Sequence, residues 1–242
     1  MQTGRDLSPT RLRAAISGAG LRIRVGPYVY SIQSPLPLVH DGIETLYSRF
    51  PLAEHNGFAD YHIALRASSW VHRLRRKIDF YLDDQLPFNR IENRHAYAFL
   101  EWGMNWCVYS HAHYLLVIHG AVLEKDGRAL LLPAPSGSGK STLCAALMLR
   151  GWRLMSDELI LFEPGTGNIL PICRPVSLKN ESIRVISEFA PHAVVGAPVP
   201  DTAKGTVAHV RPTAISCAMD QVPAQPRWVV FPRFESGASL EV

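Results

Sequence analysis

Residues Ala134 to Thr142, APSGSGKST, have the types and spacing that hold a polyphosphate. They fit Gly-x-x-x-x-Gly-Lys-Ser/Thr at every defined position except the first, where Ala134 stands for glycine. Small residues let the backbone curl so that successive N–H groups point at phosphate oxygens, and Gly137 and Gly139 supply that freedom. Lys140 brings a positive charge to the β and γ phosphates, and Ser141 or Thr142 offers a hydroxyl to Mg²⁺. Seventeen residues after Lys140 stand Asp157 and Glu158, at the end of the apolar run WRLM. A carboxylate there can share a metal ion with phosphate oxygens or take a proton, and two adjacent carboxylates allow those tasks to be divided.

These groups need elements that bring them together. RALLLP is a short apolar strand just before the loop, and TLCAALMLR continues as a helix from about Lys140 to Leu149, stopped by Gly151. LLVIHGAVLEKDGRALLLP reads as strand, turn at Lys125 to Gly127, and strand, and WRLMSDELILFEPGTGNILPI as two strands around a hairpin. Strand, loop, helix and strand in this order predict an α/β nucleotide-binding core over residues 114–242. Residues 1–113 read as a smaller β-rich α+β region suited to substrate recognition. Short alternating stretches from Leu21 to Leu65 are broken by Gly and Pro, with one helix near Leu38 to Phe50. Between Ile91 and His113, Phe99, Trp102, Trp106 and Tyr109 recur at helical spacing, which predicts a buried connecting helix.

The 242 residues suffice for a genuine core, and 47% hydrophobic with 19% charged residues excludes a disordered chain. The net charge of +4 suits anionic ligands such as nucleotides but is too small to indicate nucleic acid. Arg73, Arg75, Arg76 and Lys77 have no accompanying aromatic series, so they read as a solvated face or a docking patch for an acidic peptide. No apolar run reaches membrane length, and the N-terminal stretch has no signal-peptide core. Cys107, Cys144, Cys173 and Cys217 lie far apart with no Cys-x-x-Cys pair, which predicts a reduced, cytoplasmic chain. His111, His113 and His119 lack a fourth ligand at metal-binding spacing.

The run from IHGAVL through SGSGKST to RGWRLMSDE resembles the catalytic domain of bacterial HPr kinase/phosphorylase, and more closely the related kinases of the A type. The similarity extends over HNGFADYHIALR, LEWGMNWC, RPVSLKN and DTAKGTVAHVRP. It implies a P-loop core like the nucleotide domain of phosphoenolpyruvate carboxykinase, with ATP and Mg²⁺ as cofactors and a serine of a peptide or small carrier protein as acceptor. Carried over by position, Ser136, Gly137, Ser138, Gly139, Lys140, Ser141 and Thr142 hold the nucleotide. Asp157 is the base for the acceptor hydroxyl, Glu158 with Ser141 and Asp157 the metal ligands, and His119 a neighbour of the transferred phosphate. Lys179 and Arg211, then Lys204 and more weakly Arg174, are candidates to neutralise the phosphoryl group.

Trp152 replaces a family histidine, Glu158 a second aspartate, and RPVSLKN the downstream signature of the bifunctional enzymes. A kinase without phosphorylase activity, acting on something other than HPr, is therefore expected. The alternatives are a bifunctional HPr kinase/phosphorylase, an NTPase switch and a non-catalytic nucleotide-binding module. Asn-Lys-x-Asp is absent, which disfavours a GTPase switch. No membrane or nucleic-acid partner is expected, and self-assembly stays open. The resemblance further implies C-terminal helices beyond Val242, so that the chain reads as C-terminally truncated.

Overall fold

A computed structural model describes residues 2–54, 57–235 and 237. His55 and Asn56, which open HNGFADYHIALR, lie outside the described residues, as does the final stretch 238–242. Helix α1 (Pro9–Ser17) starts where Ser8 accepts a hydrogen bond from the Arg11 N–H and proline occupies the first helical position. A five-stranded sheet follows, ordered β1 (Leu21–Val25), β2 (Tyr28–Gln33), β3 (Tyr61–Arg66), β4 (Lys77–Leu82) and β5 (Ile91–Glu92). Strands β2 and β3 are parallel and the other pairs antiparallel. Helix α2 (Pro37–Leu46) connects β2 to β3, and the short α3 (Trp70–Leu74) connects β3 to β4.

The connecting helix forms as α4 (Ala96–His111), but of the expected stripe only Phe99 and Trp106 pack against the core, and they do so half-buried. Leu100, Met104, Cys107 and Val108 are fully buried, whereas Trp102 is 41% and Tyr109 66% exposed. Apolar residues surround most of this helix, so periodicity alone does not say which stripe turns inward.

The second sheet has six strands. The long β6 (Leu116–Lys125) pairs antiparallel with β7 (Arg128–Pro133), β8 (Arg153–Ser156) and β9 (Leu159–Glu163). Asp126 and Gly127 turn the β6–β7 hairpin with positive φ, at the expected place. Helix α5 (Lys140–Leu149) links β7 to β8, and β10 (Asn168–Leu170) extends the sheet beyond β9. A third sheet is ordered β11 (Val176–Lys179), β13 (Gly205–Val210), β12 (Val199–Thr202), with α6 (Glu181–Phe189) between β11 and β12. After α7 (Ala214–Ala218), β14 (Gln225–Val229) returns to pair parallel with β7.

The result is a mixed α/β fold. Leu159, Leu161, Ile172 and Cys217 join one core with the first sheet and α4, while α5 and β11 pack into a second with Leu154 and Val210. Gly26, at φ +56°, ties the β1–β2 turn to the second half. Its N–H donates to Asp220 Oδ2 at 3.2 Å, and an added Cβ would come within 2.1 Å of the Pro171 carbonyl oxygen. Among the described residues no helix is long and apolar enough to cross a membrane, and the four cysteines are free and buried.

Candidate functional site

Strand β6 explains how distant residues meet. Gly120 lies opposite Pro133, the last residue before the Gly-rich loop, and His119 lies opposite Leu159, just after the acidic pair. Loop, histidine and carboxylates thereby reach the same end of one sheet. Close approach needs the glycine, because a Cβ at Gly120 would stand 2.6 Å from Ile160 Cδ1 and 3.0 Å from the Leu132 carbonyl oxygen.

In the loop, Gly137 and Gly139 both take φ of +89°, as the expected backbone curl requires, and α5 begins at Lys140. Ser136, Gly137, Gly139, Lys140, Ser141 and Thr142 line a cavity of about 180 Å³. Its opposite wall carries His119, Glu158, Ser177, Lys179, Ser182 and Lys204. Ser138 is not on this wall, and its hydroxyl is buried without a hydrogen-bond partner among the described residues.

The charged groups form a connected chain. Lys140 is buried, with Nζ 3.5 Å from both His119 Nε2 and the Asp157 carbonyl oxygen. On the far side of the imidazole, Nδ1 lies 3.6 Å from Glu158 Oε2, and Glu158 Oε1 is 3.8 Å from Lys179 Nζ. Burial and the nearby Lys140 lower the His119 pKa, so at neutral pH the ring is uncharged and Nε2 can accept from Lys140. For Glu158, burial acts upward but Lys179, Lys140, Lys204 and His119 outweigh it, and its pKa falls below the ordinary carboxylate value. Lys179 is lowered by burial, partly offset by Glu158.

Asp157 sits deeper, 6% exposed, where the buried β8 enters a turn closed by the Leu159 N–H donating to Ser156 Oγ. Its Oδ2 accepts from the Ser177 N–H at 3.0 Å, while Oδ1 is buried with no hydrogen-bond partner. Burial and the Glu158 charge push its pKa up to about 6, against the pull of Lys140, the Ser177 N–H and the nearby Ser141 hydroxyl. An orphaned carboxylate oxygen this deep is costly unless something else uses it.

RPVSLKN and DTAKGTV prove to be one device. Asn180 accepts at Oδ1 from the Thr206 N–H at 3.0 Å and donates its own N–H to the Thr206 carbonyl at 2.9 Å. This braces the β12–β13 turn that carries Lys204, beside Lys179 at the end of β11. Arg211 belongs elsewhere. Contrary to its expected role, it lies outside both cavities, its Nη1 donating to the Thr45 carbonyl and Ser48 Oγ at 3.3 and 3.4 Å. Arg174 is buried beneath the site, donating to the Glu101 carbonyl at 2.8 Å and to Glu101 Oε2 at 3.3 Å.

A second, larger cavity of about 780 Å³ shares His119, Glu158, Ser177, Lys179 and Lys204 with the first. Asp157 and the exposed stripe of α4 also line it. Its floor is Glu101, Arg174 and His209; sequence reasoning named Arg174 only as a weak candidate and missed Glu101 and His209, for which a lone Glu in the apolar stretch LEWG was the available signal. His111 is engaged locally, its Nδ1 2.8 Å from the Cys107 carbonyl oxygen. In the basic run, Lys77 pairs with Glu92 at 3.6 Å.

Among the described residues no group of three or more His, Cys, Asp or Glu side chains has metal-holding geometry. Ser141, Asp157 and Glu158 would therefore hold a divalent ion together with oxygens from a ligand and water, which is the way Mg²⁺ is usually held beside phosphates. No family model, curated protein or solved structure matches the chain.

Proposed function

We propose that the chain is an ATP-dependent kinase that transfers the γ-phosphoryl group to a serine hydroxyl of a peptide or small carrier protein, on a P-loop core of the HPr kinase type. The observation that carries this reading is the orphaned Oδ1 of Asp157, buried between a phosphate-type loop and a second cavity. Asp79 also leaves one oxygen without a hydrogen-bond partner, but its other oxygen pairs with Arg90 at 3.0 Å, and Asp157 alone of the two lines the larger cavity. A general base needs one oxygen not already held by a hydrogen bond and a pKa not far below the working pH.

In this reading the loop N–H groups and the N-terminal end of α5 bind the triphosphate, and Lys140 contacts its β and γ groups. Mg²⁺, when bound, draws charge from the phosphate oxygens, with Ser141, Glu158 and Asp157 as its protein ligands. The acceptor hydroxyl enters from the larger cavity and gives its proton to Asp157 Oδ1. Its oxygen bonds the γ-phosphorus as the bond to the β–γ bridging oxygen breaks, and ADP leaves with that electron pair. Lys140, Lys179 and Lys204 face the charge that develops on the transferring group. Neutral His119 keeps Lys140 aimed at the phosphate by accepting from its Nζ.

Calorimetry with Mg·ATP tests the loop assignment. The wild-type chain is expected to bind, and Lys140→Ala to lose roughly tenfold to a hundredfold in affinity, the scale of one charge-assisted contact. Transfer of label from [γ-³²P]ATP to a serine acceptor tests the reaction. Equal ATP affinity in wild type and Lys140→Ala would remove the assignment, and ATP hydrolysis with no labelled acceptor would replace the kinase with an NTPase.

A further inference from the structure

The aromatic stripe of α4 is unused by the phosphate chemistry; its Phe99 and Trp106 are half-buried against the core, while Trp102 and Tyr109 stay exposed. Phe99, Trp102, Trp106 and Tyr109 line the larger cavity. Large apolar groups left facing solvent in a contiguous patch mark a binding surface more often than a structural one. The stripe is also held in place beforehand. Phe88 packs edge-on against Trp102 and Trp106 with ring centroids 4.8 and 4.6 Å away, so a ligand meets an ordered wall.

The floor opposite is polar but its charges cancel. Glu101 accepts from Tyr97 Oη at 2.5 Å, Tyr47 Oη at 3.0 Å and Arg174 Nη1 at 3.3 Å, which satisfies its carboxylate. Arg174 keeps Nε and Nη2 without a hydrogen-bond partner among the described residues, although the side chain is only 7% exposed and lines the cavity. Three carboxylates (Glu101, Asp157 and Glu158) stand against three cations (Arg174, Lys179 and Lys204) around the whole cavity. A charged ligand segment would find no surplus of opposite charge, whereas a neutral, apolar segment loses nothing on entry. The open donors of Arg174 call for a neutral acceptor such as a main-chain carbonyl.

We propose that this cavity is the acceptor subsite, and that it takes a peptide whose residues flanking the phosphorylated serine are bulky and uncharged. One flanking side chain lies on the α4 stripe, and a main-chain carbonyl oxygen accepts from Arg174. The volume of about 780 Å³ lies within the range of ligand sites and leaves room for several residues. The serine then reaches Asp157 because that residue lines the same cavity. The proposal rests on the kinase reading for the identity of the reaction, but the binding preference follows from the cavity alone.

Fluorescence anisotropy of labelled pentapeptides on the full chain, without nucleotide, tests it. Gly-Trp-Ser-Leu-Gly is expected to bind at least tenfold tighter than Gly-Lys-Ser-Lys-Gly, Gly-Glu-Ser-Glu-Gly and Gly-Gly-Ser-Gly-Gly. Trp102→Ala is expected to abolish that preference, since an aromatic anchor at a binding site is commonly worth tenfold or more. Trp102 is already 41% exposed; should its variant fail to fold, Tyr109→Ala, at a 66% exposed position, serves the same purpose. Equal binding of all four peptides, tighter binding of a charged one, or no binding below about 1 mM overturns the proposal. A preserved preference in a folded Trp102→Ala that Tyr109→Ala also leaves intact does the same. Label transfer from [γ-³²P]ATP is scored separately. Selective binding of the apolar peptide without transfer leaves the peptide site standing and removes the kinase reading.

Discussion

Replacing Asp157 by asparagine should make the protein more stable and the reaction much slower. The carboxylate is buried, and its pKa stands at about 6 in the fold against 3.8 for the free side chain. Each unit is worth 1.36 kcal/mol, so keeping the ionised form in the fold at neutral pH costs about 3 kcal/mol relative to the neutral form. Asparagine removes the charge at nearly the same shape and retains an oxygen for the Ser177 N–H. A gain of about 1–3 kcal/mol at pH 8 follows, or roughly 3–10 °C in Tm for a chain of this size.

The pH dependence distinguishes this cause from better packing. Because the folded pKa is the higher one, the native state holds more protons than the unfolded state between pH 3.8 and about 6. Wild type therefore loses stability as pH rises through that window, and Asp157→Asn does not. Thermal unfolding followed by circular dichroism at pH 4.5 and pH 8 should show an advantage at pH 8 that shrinks at pH 4.5. Label transfer should fall by roughly 10² or more, the scale of lost general-base catalysis, while the Kd for Mg·ATP stays within about tenfold. An advantage of the same size at both pH values, or none at pH 8, refutes the buried-charge reasoning. Equal losses in affinity and turnover remove the base role and leave Asp157 as a metal ligand only.

Glu158→Gln should raise the Mg²⁺ concentration for half-maximal transfer by about tenfold or more, measured at saturating ATP, because one anionic ligand is lost. Gly26→Ala places a Cβ on the Pro171 carbonyl at an unfavourable φ and should lower Tm, by a few kcal/mol of stability in denaturant titration. Glu124→Ala strands the buried Arg153, which pairs with Glu124 and also donates to the Met219 and Val222 carbonyls, and should cost about 3–5 kcal/mol in the same measurement.

The groups that bind locally were legible. APSGSGKST announces a backbone curl and a lysine at a helix start, both of which depend on a few consecutive residues, and the Asp126–Gly127 turn is equally local. What depended on packing was not. Phe99, Trp102, Trp106 and Tyr109 show helical spacing, but so do Leu100, Met104, Cys107 and Val108, and only tertiary contacts decide which stripe is buried. Glu101 on α4, Arg174 in the loop before β11 and His209 on β13 are brought to one floor, and spacing carries no trace of that. Arg211 shows the opposite error, for a basic residue a few positions from Lys204 in sequence can still lie against α2 in space. The helix α1 had a readable start in Ser8 and Pro9, obscured by a stretch that is otherwise arginine-rich and polar.

The electrostatics of the smaller cavity bear on why the site has this form. Lys140, Lys179 and Lys204 converge there with Glu158 as the one carboxylate on its wall, while Asp157 lies beneath. The Lys179 pKa is lowered first by burial and then, to a smaller degree, by the Lys204 and Lys140 charges, so an anion that enters relieves part of this cost. Both partners of that lysine's strand are fixed: Asn180 ties it to the Thr206 backbone, and Ser177 is tied to Asp157. A polyanion that enters removes the unfavourable contacts as well as adding favourable ones, so its binding is tighter than the sum of new hydrogen bonds would give. In the proposed reaction the same arrangement places the charges before negative charge shifts to the transferring group, which is the condition under which fixed cations lower a barrier rather than merely hold a ligand.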